Sequence, residues 1–469
     1  MNEAMLHISA LNLPVWDLNG INGGMLIACI AVIHVFVAQF AVGGGFFLVT
    51  AEWKGHKDGN DIILAWVHRH ARFFLLLTLV FGSLTGVGIW LIISLVAPGG
   101  TSLLIREFVY AWATEWVFFL GEIIALLLYS ASFSRARKGG MPPRDHMLIG
   151  VVYAIFAFLS LVVINAIISF MLTPGKWLEN GNFWSAFFNP SYPPSVLFRF
   201  GLSLTLAGMF GLITATAVKE KETRETLVRF CAQWICLPFV LAVLGGIWYL
   251  YSLPEDVRAL MMRRTDDIRP FIRAFLDTAP ILFLAGMFLF IRLPQKAYKP
   301  YVVVVIILGL ITAGSFEWIR ETARRPWLVY GFMYSNGITV DDGRIINEKG
   351  VFETSGWSRL RAMGNDKIAL TGEVTVDGER KPLSVANLTP EQSADFARFM
   401  FAQQCSNCHG MNGPLLNIHD RVRGRGEMGV EALLAAQGII SPYMPPFFGT
   451  VEERRLLAQW LAALEPETE

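Results

Sequence analysis

The chain has 469 residues, 54% of them hydrophobic and only 16% charged, with a formal net charge of +1. Its mean hydropathy of +0.47 and a charged fraction well below the roughly 25% of soluble domains exclude an ordinary soluble enzyme. The net charge by itself says nothing about partners; no nucleic-acid partner is expected, and the solvent the composition points to is the lipid bilayer.

Residues 1–20 lack the basic, apolar and small-residue succession of a cleavable signal peptide. The first apolar stretch is therefore expected to act as both anchor and export signal. Spans are expected at about 24–51, 72–97, 107–134, 147–173, 195–218, 228–252, 272–292 and 299–321, each close to the roughly 20 apolar residues that cross a bilayer.

Basic residues set the orientation. Lys54, Lys57, Arg69 and Arg72 follow the first span. Arg135, Arg137, Lys138 and Arg144 follow the third. Lys219, Lys221, Arg224 and Arg229 follow the fifth, and Arg292, Lys296 and Lys299 follow the seventh. All fall on one side, expected to be cytoplasmic, which puts both termini outside. The opposite loops are rich in Pro, Gly and aromatics. One of them, PEDVRALMMRRTDDIRPFIR, breaks the pattern with five arginines.

After the last span, residues 328–387 carry short alternating runs such as GITVDDGRII and KIALTGEVTVDG, which read as a small β-rich connector. Helical signals return at LTPEQSADFARFMFAQQ, with Thr389 as the cap.

That helix leads into CSNCHG, which is C-x-x-C-H, the signature of covalent haem attachment. Cys405 and Cys408 can reach both vinyl groups of one haem, and His409 then lies under the iron. Zinc would want further Cys or His ligands, and only His419 is near. Haem c is attached on the outer side of a membrane, which agrees with the charge pattern. The expected sixth ligand is Met444 in SPYMPPF, a thioether that suits electron transfer. Met411, too close to the attachment site, and Met428 are the alternatives. The segment resembles a single-haem class I cytochrome c. The other cysteines, Cys29, Cys231 and Cys236, lie in apolar segments as small hydrophobes.

Histidine is scarce in the spans. Only His34 sits well inside one; His68 and His70 are placed at the mouth of the second span, and His7, His56 and His146 in exposed segments. An ionisable residue within a membrane marks function by default. His34 is thus a candidate haem ligand or else a core imidazole bonded to a carbonyl. The stripe AVGGG after it allows close helix approach or leaves room for a macrocycle. Glu115 and Glu122, seven apart in the third span, share a face. They are candidates to pair, ligate metal or carry protons. Glu317 lies in the eighth span, followed by Arg320, Glu321, Arg324 and Arg325. These arginines either hold haem propionates or form an interfacial anchor.

HVFVAQFAVGGGFFLVTAEW, EWVFFLGE and RETARRPW resemble, in order and spacing, the first, third and eighth spans of subunit I of cytochrome bd quinol oxidases. The resemblance covers about residues 1–330. It implies that His34 ligates the active-site haem, that Glu52 is the carboxylate closing the first motif, and that Glu115 or Glu122 approaches that haem or feeds it protons. It also implies a non-covalent haem of b or d type and a partner subunit similar to subunit II of that family.

Departures accompany it. The family's two glutamates are eight apart rather than seven. The histidine that binds the quinol-side haem in its fifth span is absent from SVLFRFGLSL, which offers Arg199 and Phe200. The ligand glutamate of the eighth span falls at Gly314, with Glu317 one turn away as a substitute. The outer quinol loop is reduced to about residues 253–272. These departures weigh against quinol oxidation at the usual site and against the usual three haems.

The expected architecture is mainly α: a membrane bundle over 1–327, a β-rich connector over 328–387 and an all-α cytochrome c domain over 388–469. Expected function is electron transfer between an outer haem c and a buried haem, either as an oxygen reductase fed by cytochrome c or as a non-catalytic conduit in a larger respiratory complex. The expected location is a bacterial inner membrane, with periplasmic redox proteins and other membrane subunits as partners.

Overall fold

In the computed structural model, residues 11, 13–16, 18, 21–262, 268–291, 299–355, 357, 373–376, 379–382, 384–411, 413 and 416–464 are described. Eight helices are long and apolar enough to cross a membrane: α1 Gly23–Lys57, α2 Asp61–Val96, α3 Val109–Arg137, α4 Pro143–Phe170, α5 Tyr192–Ala215, α6 Lys221–Ser252, α7 Arg269–Ile291 and α8 Lys299–Ala323. The chain is a multi-pass membrane protein. Of the expected loop charges, Arg263, Arg264, Arg292 and Lys296 lie outside the described residues, as does His7.

The ends of these helices follow from local chemistry. Asn60 caps α2 by accepting from the amides of Ile62 and Ile63 at 2.9 and 3.1 Å. Pro143 starts α4, where a missing N–H costs nothing. Glu220 caps α6 by accepting from Glu222 and Thr223. The second span begins at Asp61 rather than near residue 72. The polar letters His68, Arg69, His70 and Arg72 alternate there with Trp66, Val67, Ala71 and Phe74, which are buried, so the segment is an amphipathic helix and not a loop. Midway along α2, residues Leu77–Gly82 form a π-helical turn, a feature that often marks functional sites.

Contact clustering divides the chain into two compact units. One comprises Ile30–Ile89 and Ile105–Ala323. Within it α5 packs against α1 and α6 by close backbone approach. A Cβ at Gly43 would strike the Ser203 carbonyl; one at Gly201 would lie 2.6 Å from the Ala242 nitrogen, and one at Gly245 would lie 2.5 Å from the Phe198 nitrogen. Small residues at these crossings let helices meet where lipid offers no hydrophobic drive. Around them lies an aromatic core in which Phe40 stacks on Phe210 at 4.1 Å.

The other unit comprises Met1–Cys29, Trp90–Leu104 and Arg324–Glu469. It holds the hairpin β1 Trp327–Val329 with β2 Met333–Tyr334, helix α9 Val340–Lys349, the hairpin β3 Glu373–Val376 with β4 Glu379–Pro382, and helices α10 Pro390–Gln404, α11 Gly426–Ala435 and α12 Val451–Ala462. The connector is therefore not β-rich over its described length. VDDGRII, expected as a strand, is helical because Thr339 caps it by accepting from the Asp342 amide at 3.0 Å. Most of KIALTGEVTVDG before β3 lies outside the described residues. Thr389 caps α10 as expected, in a reciprocal box with Gln392.

Candidate functional site

The CxxCH motif sits at the end of α10. The amides of Cys408 and His409 both donate to the Cys405 carbonyl, at 3.0 and 2.8 Å, so both thiols and the imidazole are carried on one tight turn. The thiols are free, and burial, then the neighbouring Cys408, pushes the Cys405 thiol up to about 12. His409 Nδ1 lies 2.9 Å from the Leu416 carbonyl. A carbonyl only accepts, so Nδ1 carries the proton, the tautomer that, in a neutral ring, puts the lone pair on Nε2. Two thiols and an Nε2 lone pair are the donors that covalent haem requires.

The amides of Gly23 and Gly24, first in α1, donate to the carbonyls of Ser406 and Asn407 at 3.0 and 2.7 Å. These are helix-start donors with no partner inside the helix. Met444 is half-buried between α11 and α12 and is followed by Pro445 and Pro446. Met428 is 85% exposed, which removes it as an axial ligand. Met411 borders a hollow of about 410 Å³ with Arg398, His419 and Trp460.

In the membrane bundle, His34 Nδ1 lies 3.0 Å from Thr85 Oγ1. The Thr85 hydroxyl donates its single proton to the Phe81 carbonyl at 2.5 Å, so it accepts from His34. The proton is thus on Nδ1, and Nε2 is left with its lone pair, the form that binds iron. Opposite stand Gly86, whose absent Cβ would lie 3.2 Å from His34 Cε1, and Gly82, where a Cβ would meet nothing closer than Val37 at 3.9 Å. The ligand chemistry and the bare helix face fit a non-covalent haem. Thr85 and the π turn before it were not legible as part of this site.

His70 is different. It is fully buried rather than at the mouth of α2. Its ring stacks on Trp66 at 5.6 Å and lies edge-on to Phe40 and Phe47, which leaves no gap for a macrocycle.

Glu115 and Glu122 each meet a partner on α4. Ser160 donates to Glu115 at 2.8 Å; the Tyr153 hydroxyl donates its one proton to the Ala41 carbonyl at 2.7 Å and stands 3.3 Å from Glu122 Oε1. Tyr129 continues the series on α3, and His146 continues it on α4. Both sets are spaced by seven residues, about 10.5 Å of helix per step.

At that third level Glu52 accepts from Tyr129 at 2.7 Å, lies 2.7 Å from His146 Nδ1, and has His56 at 3.6 Å. His146 Nε2 is 3.0 Å from the Tyr129 carbonyl. His146, placed by its surroundings in sequence in an exposed segment, is therefore wholly buried. Its polar neighbours PRDH hide that it is one helical turn inside α4.

Glu317 is gripped from two sides. Arg199 Nη1 of α5 is 2.7 Å from one oxygen, and Arg320 Nε is 3.0 Å from the other. Arg199 and Glu317 are 3% and 6% exposed. Arg324 falls in the other unit, with Nη1 3.5 Å from the Leu328 carbonyl.

The arrangement is that of a known architecture. The chain is similar to a solved structure described as bd oxidase from Geobacillus thermodenitrificans, with a TM-score of 0.58 and 17% identity, over 72% of this chain and 96% of that one. The membrane helices have the fold of a bd oxidase. No protein-family model matches the chain, and no curated protein does so.

Proposed function

We propose that this chain is a membrane haem protein of respiratory electron transport, an oxygen reductase of cytochrome bd type that takes electrons from cytochrome c instead of quinol. The observation that carries this reading is the pairing, in one chain with a bd-oxidase fold, of a CxxCH turn at Cys405–His409 with a part-buried imidazole, His34, held in its iron-binding form by Thr85. Haem bound at the two sites supplies reversible one-electron chemistry.

Cys405 and Cys408 would attach the outer group covalently, and His409 and Met444 would hold its iron, which would supply one-electron transfer. His34 binds the buried group, of b or d type, and Thr85 fixes the ring that does so. Reduction of oxygen to water consumes one proton per electron. Glu122 beside Tyr153 and Glu115 beside Ser160 hold protons along α3 and α4. The domain over 388–469 lies on the periplasmic side of a bacterial inner membrane, where periplasmic cytochromes or other redox proteins deliver electrons. Other membrane subunits, one of them similar to subunit II of cytochrome bd, complete the assembly.

A second reading, a non-catalytic electron conduit within a larger complex, is favoured by one observation. Arg199, which cannot ligate iron, stands where the resemblance implies a haem-binding histidine. Pyridine haemochrome analysis with oxygen uptake from a reduced soluble cytochrome separates the two. Haem c plus a non-covalent haem with turnover is expected. Both haems without turnover favours the conduit. Haem c alone overturns both. A His34→Ala variant is expected to lose the non-covalent haem and keep haem c.

A further inference from the structure

We infer that Gln404 is a positioning residue for the sixth ligand: it holds the loop that carries Met444 against the CxxCH helix, and the connector supplies the opposing wall; this rests on the reading of Met444 given above. Gln404 is the last residue of α10 and directly precedes Cys405. Its side-chain amide meets the backbone of Phe448 twice. Nε2 donates to the Phe448 carbonyl at 2.8 Å, and the Phe448 amide donates to Oε1 at 3.0 Å. One side chain thus spends a donor and an acceptor on a single residue 44 positions further along the chain.

Phe448 follows Met444 after Pro445, Pro446 and Phe447. A proline fixes its own φ and restricts the residue before it, so the segment from Met444 to Phe448 has little slack. What holds Phe448 therefore holds the thioether. Ahead of the sulfur the chain is turned by the Met444 amide, which donates to the Ser441 carbonyl at 3.1 Å.

The Phe448 ring is 4% exposed and fills a notch in the connector. Gly343 of α9 leaves room for it: a Cβ there would strike ring atom Cε1 and lie 2.8 Å from Cδ1. Tyr334 of β2 lies beside the ring at 5.3 Å. The next amide, that of Gly449, donates to Asn347 Oδ1 of α9 at 3.0 Å. This part of the connector works as a brace for the ligand loop and not as a tether. Gln403 supplies the contrast. It is the neighbour of Gln404 on α10 and is 7% exposed, but it spends its amide on the Leu13 carbonyl at 3.0 Å.

The test uses the full-length holoprotein in detergent, with imidazole as the probe. Imidazole takes the sixth position when the loop opens, so its apparent affinity scales with the open fraction. Binding is followed in the haem c bands, together with the near-infrared band of a ferric iron–thioether bond and the midpoint potential, which a thioether raises. Gln404→Leu removes two hydrogen bonds at similar size. It is expected to tighten imidazole binding about tenfold, weaken the thioether band and lower the potential. Gln404→Glu, which keeps the acceptor, is expected to fall between. Gly343→Ala pushes Phe448 from the opposite wall and should move all three readouts the same way. Gln403→Leu should lower the melting temperature and leave all three unchanged. If Gln404→Leu fails to fold, Gln404→Glu and Gly343→Ala decide by the same readouts. Wild-type imidazole affinity, band and potential in Gln404→Leu overturn the assignment. Equal shifts in Gln403→Leu overturn it too, because they report general loosening. A wild type with haem c but no thioether band, or a Met444→Ala variant that keeps the band, overturns the reading of Met444 instead.

Discussion

Thr85 decides what His34 can do. A histidine within a membrane helix is equally able to donate to a carbonyl and stay structural. Here its donor is spent on a hydroxyl whose own proton goes to Phe81, and the lone pair is what remains. Removing such an outer partner typically costs 10–100-fold in affinity. Thr85→Val is therefore expected to weaken non-covalent haem binding by about 10–100-fold and leave haem c untouched, as read by haem retention on dilution. Cys405 offers a second check on the haem-free chain. With its thiol pushed up to about 12 by burial, the thiolate is scarce near neutrality, and its alkylation is expected to accelerate with every step in pH up to that value. A rate flat across pH 7–10 would contradict the burial.

At the scale of elements, two contacts carry testable weight. Glu453, in the first turn of α12, accepts from the amides of Val351, Phe352 and Thr450 at 2.9, 2.7 and 2.9 Å, and is 1% exposed. It caps its own helix and answers donors 100 residues earlier in the chain. Glu453→Ala leaves two buried amides without acceptors, which costs about 3 kcal/mol and should appear as a lower melting temperature of the unit that holds α12. In the bundle, Gly201 meets the backbone of α6 at Ala242 and Pro238. Neither can retreat as a side chain would. Gly201→Val is expected to push α5 from α6 and cost about 2 kcal/mol or more, measured as thermal loss of the folded bundle in detergent. Gly82, whose Cβ position is open, should tolerate alanine by the same measure but lose haem affinity if the macrocycle lies there.

At the scale of the molecule, the polar series on α3 and α4 bears on activity. Glu115, Glu122 and Tyr129 face Ser160, Tyr153 and His146 across one helix pair. If protons travel by the two upper levels, Glu122→Gln should slow oxygen uptake at least tenfold while both haem spectra persist. Glu52→Gln, which touches only the level of Tyr129 and His146, should act on stability and leave the reduced spectrum unchanged. Uptake unaffected by Glu122→Gln would remove that carboxylate from the proton route.

Much of this was legible in the order of residues. Eight spans and the CxxCH motif depend on local runs and short spacings, which a one-dimensional reading captures. Even the series at 115, 122 and 129 and at 146, 153 and 160 is visible as heptads, though not that the two face each other. What only the tertiary structure decided are pairings between residues far apart in the chain: Thr85 with His34, His146 with Glu52, Arg199 with Glu317. Local surroundings misplace His146 and GITVDDGRII because burial and capping outweigh neighbour composition. Hydrophobic length writes a helix into the sequence. The partner that sets the proton on an imidazole or the charge on a carboxylate is chosen by packing, and packing is a property of the assembled bundle.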